Sequence, residues 1–308
     1  MPPLAVVTLV VGCRAADTDG VTPVPQLLAF LPWLLVPALL GLVLAVAARW
    51  AAGCVWALVA AAATGWFTQP YDGPAGPEPY GRPVATLRVL TANLEYGGAT
   101  DGLLTVVRRE KPDLVAVQEC DARCATALDA PAVRRAYPYR NIVTGSPAEG
   151  SAILSTHPLR DERPLPGTLS MPRSVATVNG LPVRVQVAHP MPPMPGEVDL
   201  WRTELGRLRD FAAGRDDRAT LIAGDFNATQ DHAAFRDLLD TGLRDSARAT
   251  GAARTPTWPS LTAPPLGAQI DHVLVSETLR PRATRFLDLD HTDHRALLVD
   301  LDLYAAAR

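Results

Sequence analysis

Charge is spread so unevenly along this chain that it must fold as two unlike parts. Up to Thr68 the only charged residues are Arg14, Asp17, Asp19 and Arg49, set among Ala, Leu, Val and Trp. From Val84 onward Arg, Asp and Glu are mixed throughout. The whole-chain figures, 308 residues with 48% hydrophobic residues and a formal net charge of -3, hide this division. A bilayer span needs about 20 mainly apolar residues, so the first part is predicted to be membrane-associated. The second has the mixed composition of a globular domain.

Two apolar runs, Leu27–Ala48 and Ala51–Phe67, are predicted as transmembrane helices forming a hairpin that turns at Arg49. Pro32 and Pro37 lie inside the first run, and membrane helices tolerate proline better than soluble ones. Trp50 and Trp66 stand where interfacial aromatics are expected. Leu4–Val11 is a third, partial stretch, too short for a span by itself. Arg49 is the sole charge between the two runs, and positive charge marks the cytoplasmic side. The domain beyond the hairpin is therefore expected at the outer face of a cell membrane. Residues 1–68 form the anchor in this reading, and residues 69–83, rich in Pro and Gly, a semi-rigid linker. Residues 84–308 form the globular domain.

Within that domain apolar runs alternate with amphipathic stretches. Thr86–Thr91, Leu114–Gln118, Ser151–Ser155, Ala219–Ala223, Ile270–Val275 and Ala296–Leu303 are predicted strands. Val175–Val178 and Val183–Ala188 flank Asn179-Gly180, a strong hairpin signal. Gly102–Arg109, Glu197–Ala213 and His232–Leu239 are predicted helices, the second with Leu200, Leu205, Leu208 and Phe211 on one face. Cys120 and Cys124 follow a strand with no partner at zinc spacing. In an oxidising compartment a local disulfide is open to them.

Residues able to bind metal or phosphate recur at the ends of these strands: Asn93, Glu119, His189, Asp225 with Asn227, Asp271, and Asp293-His294. If the strands pack into one or two sheets, several such ends meet at one rim. Carboxylates and an amide oxygen are hard ligands that favour magnesium or manganese over zinc. A histidine with a carboxylate partner manages protons near neutral pH. The set suits phosphate-ester hydrolysis.

Gln118-Glu119, Gly224-Asp225-Phe226-Asn227, Ile270-Asp271-His272 and Thr292-Asp293-His294, with Asn93-Leu94 and Ala188-His189-Pro190, resemble the ordered motifs of the endonuclease/exonuclease/phosphatase superfamily. Each motif alone is weak, but the complete set in order covers Val84 to Leu303. The resemblance implies an α/β fold, a four-layered sandwich of two mixed sheets flanked by helices, here preceded by transmembrane helices. It implies an Mg2+- or Mn2+-dependent phosphoric ester hydrolase. Glu119 would bind the metal with Asn93 and Asp293 near it. Asp225 would orient or activate the attacking water, and Asn227 and His189 would hold the scissile phosphate. His294, paired with Asp271, would serve proton transfer or phosphate stabilisation. Which of Asp225 and His294 is the base stays open. The chain departs from the family at His291-Thr292, where Gly-Ser often precedes the Asp-His pair.

The anchor and domain together look similar to membrane-anchored bacterial members linked to teicoplanin resistance. That likeness implies a lipid bilayer as partner and a lipid-linked phosphate ester, such as a polyprenyl pyrophosphate, as substrate. Met191 and Met194, in the Pro-rich stretch after His189, are candidates for an apolar lip beside the site. Two other readings stand beside this one. An extracellular endonuclease would need a basic groove, and the sequence shows no basic patch, Lys111 being its single lysine. A non-catalytic binding module usually loses metal or histidine positions, and none is lost here. His272 should face away from Asp271 on its strand and serve packing. Trp258 is a candidate for either the pocket or the core. Arg173 is a candidate phosphate contact, although a solvated arginine is the simpler reading. No obligate protein partner is evident.

Overall fold

The structure is a computed structural model, and it describes residues 2–71, 73, 81–214 and 218–306. Most of the predicted linker, residue 72 and residues 74–80, lies outside the described residues.

Two six-stranded mixed sheets pack face to face. The first is built around β1 (Ala85–Asn93), which pairs in parallel with β2 (Leu114–Gln118) and antiparallel with the last strand, β12 (Arg295–Leu303). It is extended on one side by β4 (Ser151–Ser155) and β3 (Tyr139–Val143), and on the other by β11 (Leu279–Asp288). The second sheet has β7 (Leu181–Ala188) parallel to β8 (Ala219–Asp225) at its centre. There β6 (Met171–Val178) and β5 (Leu159–Leu165) lie on one side, with β10 (Asp271–Val275) and the short β9 (Arg244–Asp245) on the other. The Asn179-Gly180 hairpin forms as predicted, both residues having positive φ.

The alternation of each strand explains the layering. Inward residues such as Leu87, Val89, Val185, Leu221, Val273 and Val299 fill the space between the sheets. The outer face of the first sheet buries Leu90, Val115 and Leu298 under α5 (Thr100–Glu110), α6 (Ala122–Leu128) and α7 (Pro131–Ala136). The outer face of the second packs on α8 (Val198–Ala213) and α9 (Ala233–Leu239) through Trp201, Leu205, Phe226 and Phe235. Leu200 sits beside the buried stripe of α8 and Trp201 lies in it, a shift of one position from the predicted face. A one-turn helix, α10 (Ser246–Ala249), leads from β9. The expected four layers, helix–sheet–sheet–helix, are therefore present.

The predicted transmembrane spans are not. Among the described residues no helix is long and apolar enough to cross a membrane. Residues 27–48 break into α2 (Val24–Ala29), a 3-10 turn at Leu31–Leu34 around Pro32, and α3 (Leu35–Ala47). At about 1.5 Å per residue, 13 residues of α3 reach only about 20 Å, short of a bilayer core of about 30 Å. The second run is α4 (Ala51–Phe67), 17 residues long. The hairpin itself exists, with Arg49 in the left-handed conformation at its turn. The predicted partial stretch at Leu4–Val11 belongs to α1 (Pro2–Ala15), which packs on α3 and α4. Leu4 lies so close to Gly41 that a Cβ there would meet it at 2.7 Å.

This N-terminal unit is fastened to the globular domain by polar contacts around α9. Asp19 accepts from the backbone N–H groups of Ala233 (2.7 Å) and Ala234 (3.2 Å) at the start of that helix. Two of the orphan donors that every helix N-terminus exposes are thereby satisfied from more than 200 residues away. Arg236 pairs with Asp17. Arg254 holds the carbonyls of Phe67 and Thr68 at 2.8 Å each, and forms a two-pronged pair with the fully buried Asp231 at 2.6 and 2.8 Å. Tyr71 donates to Asp240 at 2.6 Å, so the first residues of the predicted linker are held on the domain.

Removing one partner of a buried ion pair strands the other charge. We expect Asp231→Ala to destabilise the full chain by about 3 kcal/mol in urea unfolding. An effect under about 0.5 kcal/mol would mean that Arg254 does not hold the N-terminal unit in place.

Candidate active site

The topology brings all the predicted strand ends to one rim. β1 and β8 end there in Asn93 and Asp225, and Glu119 and His189 directly follow the ends of β2 and β7. β10 and β12 run the opposite way and begin there, in Asp271 and just after His294. Asp225 and Asp271 are direct partners in the β8–β10 ladder. Gly224, with φ +155°, precedes Asp225, and a Cβ there would run into the backbone of Ala188. The two strands can approach only because that side chain is missing, at the point where His189 and Asp225 emerge.

Two contacts cross from one sheet to the other. Asn93 donates to Asp225 at 3.1 Å, and also to Glu119 at 3.0 Å. Its side-chain oxygen accepts from the N–H of Glu95 at 3.0 Å. The His294 Nδ1 lies 2.9 Å from Asp271 Oδ2. On its other edge, His294 Nε2 is 3.7 Å from Asp225 and 3.7 Å from Asp293. Asp225, Asp271 and His294 form a buried group whose ligand atoms all lie within 4.8 Å of one another.

The remaining predicted residues surround this centre. Glu119 takes a left-handed conformation (φ 54°) directly before Cys120, which is disulfide-bonded to Cys124. Asp121 caps α6 by accepting from Cys124 N–H at 2.7 Å, so Glu119 leaves β2 into a closed turn. Its second oxygen accepts from Tyr96 N–H at 3.0 Å. His189 Nε2 is 3.9 Å from Glu119, while its Nδ1 is buried without a partner. Asn227 donates to the Pro190 carbonyl at 3.1 Å, and an amide has a second N–H to offer. Its backbone N–H caps Asp225 at 2.8 Å. Asp293 is the most exposed of the set and accepts from the Trp258 indole at 2.8 Å.

Burial governs the protonation states. It raises the Asp225 carboxyl well above the ordinary range, outweighing the nearby His294. Burial also raises Glu119, against hydrogen bonds from Asn93 and Tyr96. For His294, burial acts downward but is overcome by Asp271 and then Asp225, which raise its pKa to about 10. For His189, burial, followed by repulsion from His294, outweighs the opposing pull of Asp271 and lowers it to about 3. The site thus pairs one cationic imidazole with one neutral imidazole.

Trp258, a candidate from the sequence for either the pocket or the core, lines the cavity. Tyr96, which lines it too, and Thr257, which accepts from the backbone of Ile270 and Asp271 at 3.0 and 3.1 Å, carry no sequence signal strong enough to single them out. Thr292, one of the two departures from the family pattern, bridges the Asn93 carbonyl and His294 N–H at 2.9 and 3.1 Å. Its hydroxyl serves where a serine would. His291 is exposed with φ 65°. His272 faces away from the site as expected, bonded to Asp245 at 2.9 Å and packed on Phe226 and Phe235. Arg173 pairs with Glu162 at 3.5 Å and does not line the cavity.

The cavity holds about 580 Å³, and its lining mixes two kinds of side chain. Glu119, His189, Asp225, Asn227, Asp293 and His294 are polar; Pro25, Phe30, Met191, Pro193, Met194 and Trp258 are largely apolar. No lysine or arginine lines it among the described residues. Carboxylates crowded together without a guanidinium or ammonium partner leave an excess of negative charge facing solvent-sized space. That oxygen-rich donor set fits a hard divalent cation.

A profile described as "Endonuclease/Exonuclease/phosphatase family" matches residues 90–294. No curated protein matches the sequence. Among solved structures, zebrafish (D. rerio) TDP2 complexed with single-strand DNA product is similar at TM-score 0.58 and 15% identity, covering 71% of this chain and 99% of that one. An endonuclease/exonuclease/phosphatase from Beutenbergia cavernae is similar at 0.55 and 21%, with 72% of each chain covered. The 3′ phosphatase NExo from Neisseria, bound to a product DNA hairpin, is similar at 0.53 and 20%, covering 70% and 99%. At these identities the likeness is one of fold.

The protonation pattern is directly measurable in metal-free protein. Nitrogen-detected imidazole titration should find His294 protonated past pH 8 and His189 neutral at pH 5. Because the folded pKa of His294 lies above its unfolded value of about 6.5, its contribution to stability is complete below that pH. It is lost as pH rises through about 10. Asp271→Asn should shift that loss to lower pH; an unshifted His294 would mean that Asp271 does not hold the charge.

Proposed function

The chain belongs to the endonuclease/exonuclease/phosphatase family, whose members are usually metal-dependent phosphoester hydrolases, and we propose that it hydrolyses a phosphodiester or pyrophosphate carrying an apolar group at a membrane surface. The observation that carries this reading is the mixed lining of the cavity. Catalytic groups and apolar side chains line it together, with no lysine or arginine among the described lining residues.

Glu119 and Asp293, with Asn93 bracing Glu119, would hold Mg2+ or Mn2+. Such an ion, when bound, offsets the charge that develops on the phosphoryl oxygens. Asp225, raised by burial toward neutral pH, takes the proton of the attacking water. His294, paired with Asp271 at 2.9 Å, faces the phosphate as a donor. Neutral His189 and the Asn227 amide orient the phosphate oxygens. With all these positions present, a purely binding role has nothing in its favour.

A membrane location is supported by α3 and α4, which carry no charged residue and expose Leu39, Leu40, Val43, Leu44, Val55, Leu58 and Val59. A helix pair apolar on its outer face is suited to the interface of a bilayer rather than to water. Trp50 and Trp66 are exposed at its two ends, as interfacial aromatics are. The Cys120–Cys124 bridge supports an oxidising, extracytoplasmic side. The likeness to membrane-anchored members linked to teicoplanin resistance makes a polyprenyl pyrophosphate the leading substrate candidate. An extracellular nuclease is the second reading, favoured by the DNA bound in two similar structures. Against it stands a cavity lined by no lysine or arginine among the described residues, since phosphate backbones are held by those side chains.

Activity on bis-p-nitrophenyl phosphate should vanish in EDTA and return with Mg2+ or Mn2+. Glu119→Ala and His294→Ala should each cost at least about 100-fold in kcat. EDTA-indifferent turnover would refute the metal-dependent reading. For the membrane, the full chain should float with anionic lipid vesicles, and Leu40→Glu with Val43→Glu should abolish flotation while leaving the melting temperature within about 3 °C. Flotation unchanged by the pair would exclude α3 as the contact.

A further inference from the structure

The N-terminal unit is not only a neighbour of the catalytic domain; it supplies part of the cavity wall. His232 accepts the Thr229 N–H on Nδ1 at 2.9 Å, so its Nε2 carries the proton and donates to the Pro25 carbonyl at 2.8 Å. That bond, with the Asp19 cap on α9, fixes α2 at the rim. Gln26 donates to the Pro193 carbonyl and so ties α2 to the Met191–Met194 stretch. The same stretch is held from below by the fully buried Glu204, which accepts from Met191 N–H at 2.7 Å. Phe30 then meets Trp258 with ring centroids 6.1 Å apart and tilted by 55°. Trp258 donates to Asp293, which is 3.7 Å from His294. A short chain of contacts therefore runs from the N-terminal unit to the reacting centre.

We propose that Phe30 and Trp258, with Met191 and Met194, form a subsite for the aliphatic chain of the substrate, and that Phe30 sets the preference for chain length. The inference rests on the phosphoesterase reading and goes beyond it by assigning specificity to a residue outside the family-matched segment, residues 90–294. Two features favour an alkyl or prenyl chain over a nucleobase. The two rings are inclined to each other, so they form no parallel slot for a flat base. The N-terminal unit that supplies Phe30 also exposes the apolar residues Val36, Leu39 and Leu40 on α3.

The test uses the full chain and methyl, butyl and octyl p-nitrophenyl phosphate below their micellar concentrations, which share one leaving group. The octyl ester should exceed the methyl ester in kcat/KM by about 50-fold, mostly through KM, since each buried methylene favours binding. Phe30→Ala should reduce that ratio to below about fivefold, and Phe30→Leu, which keeps an apolar side chain, should retain at least about half of it. A ratio unchanged in Phe30→Ala, or a wild-type preference for thymidine 5′-p-nitrophenyl phosphate over the octyl ester, overturns the subsite while leaving the phosphoesterase intact. Failure to hydrolyse any of the esters with Mg2+ or Mn2+ would instead sink the phosphoesterase reading and the subsite with it.

Discussion

His294 stands on one sheet and Asp271 on the other, and the 2.9 Å contact between them closes the rim of the sandwich. A carboxylate and an imidazole buried this deeply cost too much to keep apart, because each would otherwise lie in a low-dielectric setting without a partner. The pair forms only if β10 and β12 start at the same height. That alignment depends on the layer of Leu87, Val89, Leu221, Val273 and Val299 between the sheets. The Asn93–Asp225 hydrogen bond makes the same demand on β1 and β8. Core packing and site geometry are thus one constraint: a slip of one residue in any of these strands would turn its terminal side chain out of the rim.

The charge balance at the rim follows from what was excluded. Arginine is abundant in this domain, yet it is spent elsewhere: Arg254 on Asp231, Arg236 on Asp17, Arg295 on Asp288 and Arg88 on Asp300. The carboxylates of the cavity face His294, His189, the Trp258 indole and amide donors. Such an oxygen-rich group suits a cation, and burial raises both Asp225 and Glu119. A site that already contained an arginine would be more stable when empty and less able to take up a metal with its phosphate.

How much of this was legible in the sequence can be traced to what each pattern measures. The central strands β1, β2, β8 and β12 are continuous apolar runs, so their ends, and the chemistry placed there, could be read directly. The strands β5 and β11 could not. Both lie at sheet edges, are largely exposed, and spell Leu-Arg-Asp-Glu-Arg-Pro-Leu and Leu-Arg-Pro-Arg-Ala-Thr-Arg-Phe-Leu-Asp, sequences without strand-like alternation. Their pairing is imposed by the neighbouring strand, not by their own propensity. Thr257 and Tyr96 escaped notice for a different reason: they act through a hydroxyl or a backbone N–H, which leaves no mark on residue type.

The N-terminal block shows the limit of hydropathy most clearly. Hydropathy reports that residues 27–48 avoid water, and it is silent on what they contact. Part of that stretch, Leu28, Leu31 and Leu34, is buried within the N-terminal unit itself. Another part, with Pro25 and Phe30, is turned toward the cavity. A third part, on the outer face of α3, is exposed together with that of α4. A straight span would have carried all of these residues away from the domain. The break at Phe30 and Pro32 instead divides one apolar run between a packed interior, the cavity lining and an exposed face.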